Sequence, residues 1–140
     1  MGTPELDGSG LTIMSRHDCL HLLNVHPAHL GRLAVVDDTG QPLVFPVNFR
    51  IVDEAIVFLT GAGTKLASVV RGSRVAFEAD DIETSFLSGW SVLVQGVAEE
   101  IDEPGLLEHL RRLGLRSWTR EGPVHGIRLP VESVSGRRLP

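Results

Sequence analysis

The sequence predicts a mainly β protein: a six-stranded antiparallel, Greek-key-like barrel with three short helices packed at its ends. Three observations carry that prediction. Six runs rich in Val, Ile, Leu and Phe follow one another at close spacing, separated by turn-forming Gly, Pro and Asp residues. Only three stretches have helical spacing, and all are short. Strands alternating with long helices are absent, which argues against a doubly wound nucleotide fold. At 140 residues, 42% hydrophobic and 22% charged, the chain has the size and composition of one globular domain with a proper core. Residues 1–12 are expected to form a polar, flexible tail, and residues 13–140 the domain.

The elements follow in order. Ser15 with Asp18 three residues on is a helix start, the hydroxyl capping and the carboxylate favouring the first turn. The helix runs through "SRHDCLHLLNV" and stops before Pro27. "GRLAVVD" is a β-branched strand, Asp37 to Pro42 a turn, and "PLVFPVNFRI" a second strand that Pro46 demotes to an edge or a bulge. Asp53-Glu54 reverses the chain into "AIVFLT", so residues 31–60 read as a three-stranded meander. Thr64 to Val70 forms a short helix closed by Gly72. "SRVAFEAD" is the next strand, "DIETSFLSG" a polar loop, and "WSVLVQGVAEEI" a long strand in which Gly96 suggests a bulge. Pro104 opens a third helix with Leu106, Leu107, Leu110 and Leu113 along one stripe and Gly114 at its end. "VHGIRLPVESVSGRRL" is the terminal strand, bent at Pro130.

Composition limits the function classes. A net charge of -5 argues against non-specific attraction to nucleic acid, and Arg111, Arg112, Arg116 and Arg120 read as a solvated helix face. The single Cys19 demands no oxidising compartment, no apolar run has membrane-spanning length, and the start lacks a signal-peptide pattern. A soluble, cytoplasmic protein with no nucleic-acid or membrane partner is expected. His17 and His21 stand four apart on one helix, but no third ligand is fixed by spacing, so no metal is expected. No nucleophile elbow is present, and the catalytic residues stay unassigned.

One stretch concentrates chemistry. "FLTGAGTKLASVVRG" holds Lys65, the chain's sole lysine, just after a Gly-Ala-Gly bend. It is not a Walker A loop, because no glycine stands directly before the lysine and no hydroxyl directly after it, and Leu66 breaks the dinucleotide fingerprint. The ingredients of a monophosphate site are nonetheless there: hydroxyls from Thr60 and Thr64 and a point charge from Lys65. An ordinary turn with a surface lysine is the competing reading. Trp90 and Trp118 are either packing residues or stacking platforms for a planar ligand.

Taken together, "GRLAVVDDTGQPLVFPVNFRIVDEAIVFLTGAGTKLASVVRGSRVAFEAD" and "GWSVLVQGVAEEI" resemble the pyridoxamine 5'-phosphate oxidase-like FMN-binding split β-barrel family. The order and spacing of the segments carry the resemblance, which spans roughly Ser15 to Leu139. It implies a homodimer that binds FMN between subunits and acts as an oxidoreductase on a small molecule. A non-catalytic flavin carrier or sensor is the alternative, and a deazaflavin the alternative cofactor. The resemblance places Thr60, Thr64 and Lys65 at the phosphate, and Phe45, Pro46, Val47 and Asn48 along the flavin edge. Leu59 would touch the flavin or ribityl chain, while Trp90 and Ser91 would approach from another side. Trp118 and Arg128 are further candidates, contributed by the second subunit. Two departures stand out: Thr64 takes the place where related oxidases carry an arginine, and their C-terminal Arg-x-His motif is missing. The chain is closer to the short flavin-nucleotide-binding branch, similar to nitroimidazole-resistance proteins.

Overall fold

The computed structural model describes residues 3–70, 72–85, 87–118 and 122–139. It is a split barrel of two antiparallel sheets. The strands are β1 (Thr12–Ile13), β2 (Leu30–Val36), β3 (Pro42–Asn48), β4 (Arg50–Val52), β5 (Ala55–Gly61), β6 (Arg74–Glu83), β7 (Ser88–Val97), β8 (Glu99–Ile101), β9 (Val124–Pro130) and β10 (Ser133–Arg138). The helices are α1 (Arg16–Asn24), α2 (Lys65–Val70) and α3 (Pro104–Arg112). One sheet has the order β1-β10-β7-β6-β2-β3 and the other β4-β5-β9-β8.

The mainly β class and the three helices agree with the sequence, but the strand inventory is finer than six. Each of the three longest predicted strands is divided by a step from one sheet to the other. "PLVFPVNFRI" leaves the six-stranded sheet after Asn48 and enters the four-stranded sheet at Arg50. Phe49, at the step, is fully buried and meets the Phe77 ring edge-on at 4.9 Å. "WSVLVQGVAEEI" steps at Ala98, whose N–H bonds to Ser73 O at 3.0 Å. The terminal strand steps between Pro130 and Ser133. Residues 31–60 are therefore not a single-sheet meander: burying Phe49 turns the chain out of one sheet and into the next.

Two further expectations are corrected. The "DIETSFLSG" loop is largely strand, because β6 and β7 pair out to Glu83↔Ser88 as one long hairpin. Gly96 is not a bulge: it sits in regular register with Val75, and a Cβ there would lie 2.8 Å from Pro130 O. Its lack of a side chain lets β7 pass close beneath the end of β9.

Other local readings hold. The Ser15 hydroxyl accepts from Asp18 N–H at 3.1 Å and starts α1. Asp53 and Glu54 take positive φ (49° and 57°) in the reversal between β4 and β5. Within residues 1–12, Thr12 pairs with Arg138 of β10, and Asp7 binds Arg137 at 2.8 Å.

The main core fills the space between the sheets, with Phe49, Phe58, Phe77, Leu33 and Ile127 at its centre. A second cluster, Val57, Leu59, Ile101, Leu110 and Leu115, packs α3 onto the far face of β5. β5 is thereby buried on both faces along its whole length, as a continuous apolar run requires. Among the described residues no helix is long and apolar enough to cross a membrane.

Candidate functional site

A groove forms where β3, the edge strand of the larger sheet, packs beside β5 of the smaller. Phe45, Pro46 and Val47 come from β3, and Leu59 and Thr60 from β5. Thr64 and Lys65 come from the turn into α2, and Ser117 and Trp118 from the segment after α3. Together they enclose about 300 Å³. Asn48 lines an adjoining cavity of about 700 Å³ that shares the Leu59, Ser117 and Trp118 wall. Of the ten residues picked from sequence, eight thus converge on this continuous groove.

The turn at its polar end is held by hydroxyls. Thr64 Oγ1 donates to Gly61 O at 2.8 Å and accepts from Ala67 N–H at 3.1 Å, which caps α2. With the Thr64 proton on that carbonyl, the 3.2 Å contact between the two threonine hydroxyls makes Thr60 the donor to Thr64. Both hydroxyl protons serve the turn in this arrangement. A ligand anion here meets the Lys65 ammonium directly, and a hydroxyl only after it rotates its proton outward.

Lys65 Nζ lies 3.7 Å from Asp37 Oδ2. Asp37 sits in the β2–β3 turn with its side chain 8% exposed, while the Lys65 side chain is 60% exposed. The other Asp37 oxygen accepts from the Thr39 hydroxyl (2.6 Å) and from the Thr39 and Gln41 N–H groups (both 2.9 Å). These bonds, the Thr39 hydroxyl foremost, hold its carboxyl below the usual aspartate value. Lys65 is thus tethered loosely to a fixed carboxylate and faces solvent with its remaining donors.

Trp90 and Ser91 do not reach the groove within this chain. Trp90 is 7% exposed and stands edge-on to His26 at 5.8 Å. His26 is itself anchored by a 2.7 Å contact between Nε2 and Asp80 O. Trp90 borders a different cavity, of about 390 Å³, with Asp81, Gly89 and Arg138. Ser91 pairs with Asp80 and Arg137 inside the larger sheet. Arg128 is also elsewhere, 3.8 Å from Glu99 and 3.4 Å from Glu103. Trp118, in contrast, stands on the groove wall with 60% of its surface exposed.

Some site residues escaped the sequence reading. His125, opposite Thr60 on β9, places Nδ1 2.7 Å from Glu100 Oε1. It lines a third cavity, of about 490 Å³, with Gly63, Thr64, Lys65 and Ser68. Thr64 and Lys65 therefore stand at the junction of two cavities. No local sequence signal marked His125, because its place opposite Thr60 depends on pairing between strands far apart in the chain. Arg111 and Arg116, read as a solvated helix face, both line the 700 Å³ cavity, whereas Arg120 lies outside the described residues. A Gly114-Leu115 helix stop was the clue, since it folds the chain back so that Arg116 returns beside the last turn of α3.

Comparison with known proteins places this geometry. The uncharacterized protein Rv0080 of Mycobacterium tuberculosis is 33% identical over 114 residues, covering 78% of this chain and 74% of that protein. The solved structure of an FAD-binding protein from Mycobacterium smegmatis is 35% identical, with a TM-score of 0.77 over 91% of this chain and 98% of that one. An FAD-binding protein from Mesorhizobium loti is 25% identical, with a TM-score of 0.70 over 93% and 99% of the two chains. Residues 15–138, nearly the whole described barrel and the entire groove, match the model of one family, and the chain belongs to it: the pyridoxamine 5'-phosphate oxidase family.

Proposed function

We propose that the protein binds a flavin nucleotide in the β3–β5 groove and works as a homodimeric oxidoreductase on a small molecule. The observation that carries this reading is the groove's polarity. Its body is walled by Phe45, Pro46, Val47, Leu59 and Trp118, and its end carries Lys65 beside two threonine hydroxyls. An elongated ligand with a planar apolar ring and a phosphate at its far end matches that distribution. The FAD-binding relatives from Mycobacterium smegmatis and Mesorhizobium loti support the same ligand class.

When bound, the flavin supplies the hydride or electron chemistry. The chain's own residues bind and orient. Lys65 meets the phosphate as a point charge. Trp118 offers an indole face for stacking, and Asn48 offers an amide for the ring edge. Burial of β5 on both faces keeps Leu59 and Thr60 rigid beneath the ligand. FMN is the cofactor first expected. The cavity beyond Thr64 and Lys65, with His125 on its wall, favours FAD as a second reading, because it offers room for a second phosphate and a nucleoside.

Homodimer formation is supported by the outer face of the larger sheet. Val36, Val44 and Leu93 are 57%, 65% and 37% exposed there, with Ala34 and Ala76 in register between the strands. A second copy would cover this surface. Residues 13–140 are proposed to act as the single flavin-binding domain.

The experiment is direct. Purified protein, or protein incubated with FMN or FAD and desalted, should absorb near roughly 450 nm as a flavoprotein does. A chain that stays colourless after loading defeats the reading. Steady NAD(P)H oxidation with an added electron acceptor separates an oxidoreductase from a carrier, which holds flavin without turnover.

A further inference from the structure

We propose that the 700 Å³ cavity next to the flavin groove is a co-substrate site selective for a planar aromatic acid; this rests on the flavin reading of the neighbouring groove. The cavity is of the size small-molecule sites take. Its walls include Arg111 and Arg116 and no aspartate or glutamate among the described residues. In a chain with 18 acidic and 13 basic residues, the charged wall residues among those described are both cationic.

The fold brings the two arginines together by a defined turn. Gly114 takes φ 85°, and Leu115 N–H reaches back to Leu110 O at 3.1 Å, while Leu110 and Leu115 pack in the same buried cluster. This is the Schellman closure of a helix. It fixes the chain reversal that returns Arg116 to the side of Arg111. Neither guanidinium lies within 4 Å of a carboxylate among the described residues, in contrast to Arg16, Arg32, Arg74, Arg128 and Arg137, each of which has an acidic partner. Two uncommitted guanidinium forks are suited to a carboxylate held through paired N–H bonds.

The aromatic half of the specificity comes from Trp118. Its exposed indole stands between this cavity and the flavin groove, and Leu59 and Ser117 share that boundary. A ring stacked there, with its acid group on Arg111 and Arg116, lies next to the ligand of the groove. That is the position a molecule exchanging electrons with a flavin must occupy. Asn48 adds a hydrogen-bonding amide on the same wall.

Calorimetric titration of the flavin-loaded protein with 2-naphthoate and with its neutral analogue 2-naphthamide tests the proposal. The carboxylate should bind at least tenfold more tightly. Arg111→Gln with Arg116→Gln should erase the preference without releasing flavin, whereas Arg112→Gln, which does not line the cavity, should leave it intact. Equal binding of the two probes overturns the proposal, as does no binding of 2-naphthoate. Loss of flavin from the double variant also overturns it, by assigning the arginines to the cofactor. Should the chain take up no flavin at all, the groove reading fails by itself. The two probes are then titrated into the flavin-free protein, where a tenfold preference for 2-naphthoate supports the acid site and equal binding overturns it.

Discussion

Replacing Lys65 by alanine isolates the charge at the end of the groove. A hydrogen bond to a charged group contributes about 1.5–3 kcal/mol. The Lys65 side chain is 60% exposed and shares its charge with Asp37 at 3.7 Å, so solvent screening and that competing carboxylate place it at the low end. A loss of about 1.5 kcal/mol, or roughly tenfold in Kd, is expected for FMN. Riboflavin, which has the same ring and no phosphate, should bind the variant and the parent equally. Equilibrium dialysis with absorbance readout measures both ligands on both proteins. An equal loss for riboflavin would show that Lys65 acts through packing or folding. An unchanged Kd for FMN would place the phosphate elsewhere.

The remaining predictions concern the frame around the site. Burial, with the Asp80 carboxylate beside it, pushes Glu78 up to about 7 against the pull of Arg32 at 3.9 Å. The folded chain then holds a proton that the unfolded chain releases near 4.5, so stability falls as pH rises from about 4.5 to 7. Glu78→Gln should flatten that fall in thermal melts taken across the window, and an unaltered slope would locate its origin in another group. Gly31→Ala would set a Cβ 2.3 Å from the buried Phe77 ring and 2.8 Å from Glu78 O. Overpacking against a fixed ring and backbone should cost about 3 kcal/mol, a drop in Tm of roughly 10 °C; a melt within a degree or two of the parent contradicts that packing. Ser15→Ala removes the α1 cap and should cost about 1 kcal/mol in urea unfolding, while Ser15→Asp should restore it.

Much of the groove was legible because its parts are local. The turn carrying Lys65 is set by a short Gly-rich bend and a threonine cap, and β3 and β5 announce themselves by β-branched runs bounded by turn residues. The steps at Phe49 and Ala98 were not legible. At Phe49 the apolar alternation of Phe45, Val47 and Ile51 continues unbroken, and at Ala98 the glutamates that follow read as an ordinary strand end. Which sheet a residue joins depends on partners far along the chain. The split of the terminal strand had a local hint in Pro130, read as a bend rather than as a change of sheet. Arg111 and Arg116 are exposed as expected, but exposed side chains look alike in sequence whether they face bulk water or a cavity. Trp90 and Ser91, expected to approach the flavin from another side, stand at a separate cavity and inside the larger sheet of this chain, a placement that strand order alone does not reveal. Thr60 and Thr64 were identified, but only their geometry shows that each spends its proton inside the turn.

The unequal placement of the two tryptophans gives the protein a built-in optical reporter. The chain contains no tyrosine, so its near-ultraviolet emission comes from two indoles alone. Trp90 is sealed against His26 and should emit toward the blue, out of reach of iodide; Trp118 should emit toward the red and be quenched by it. An occupant of the groove would silence the second component while sparing the first. Ligand arrival can therefore be followed in the unlabelled protein by watching one spectral component disappear.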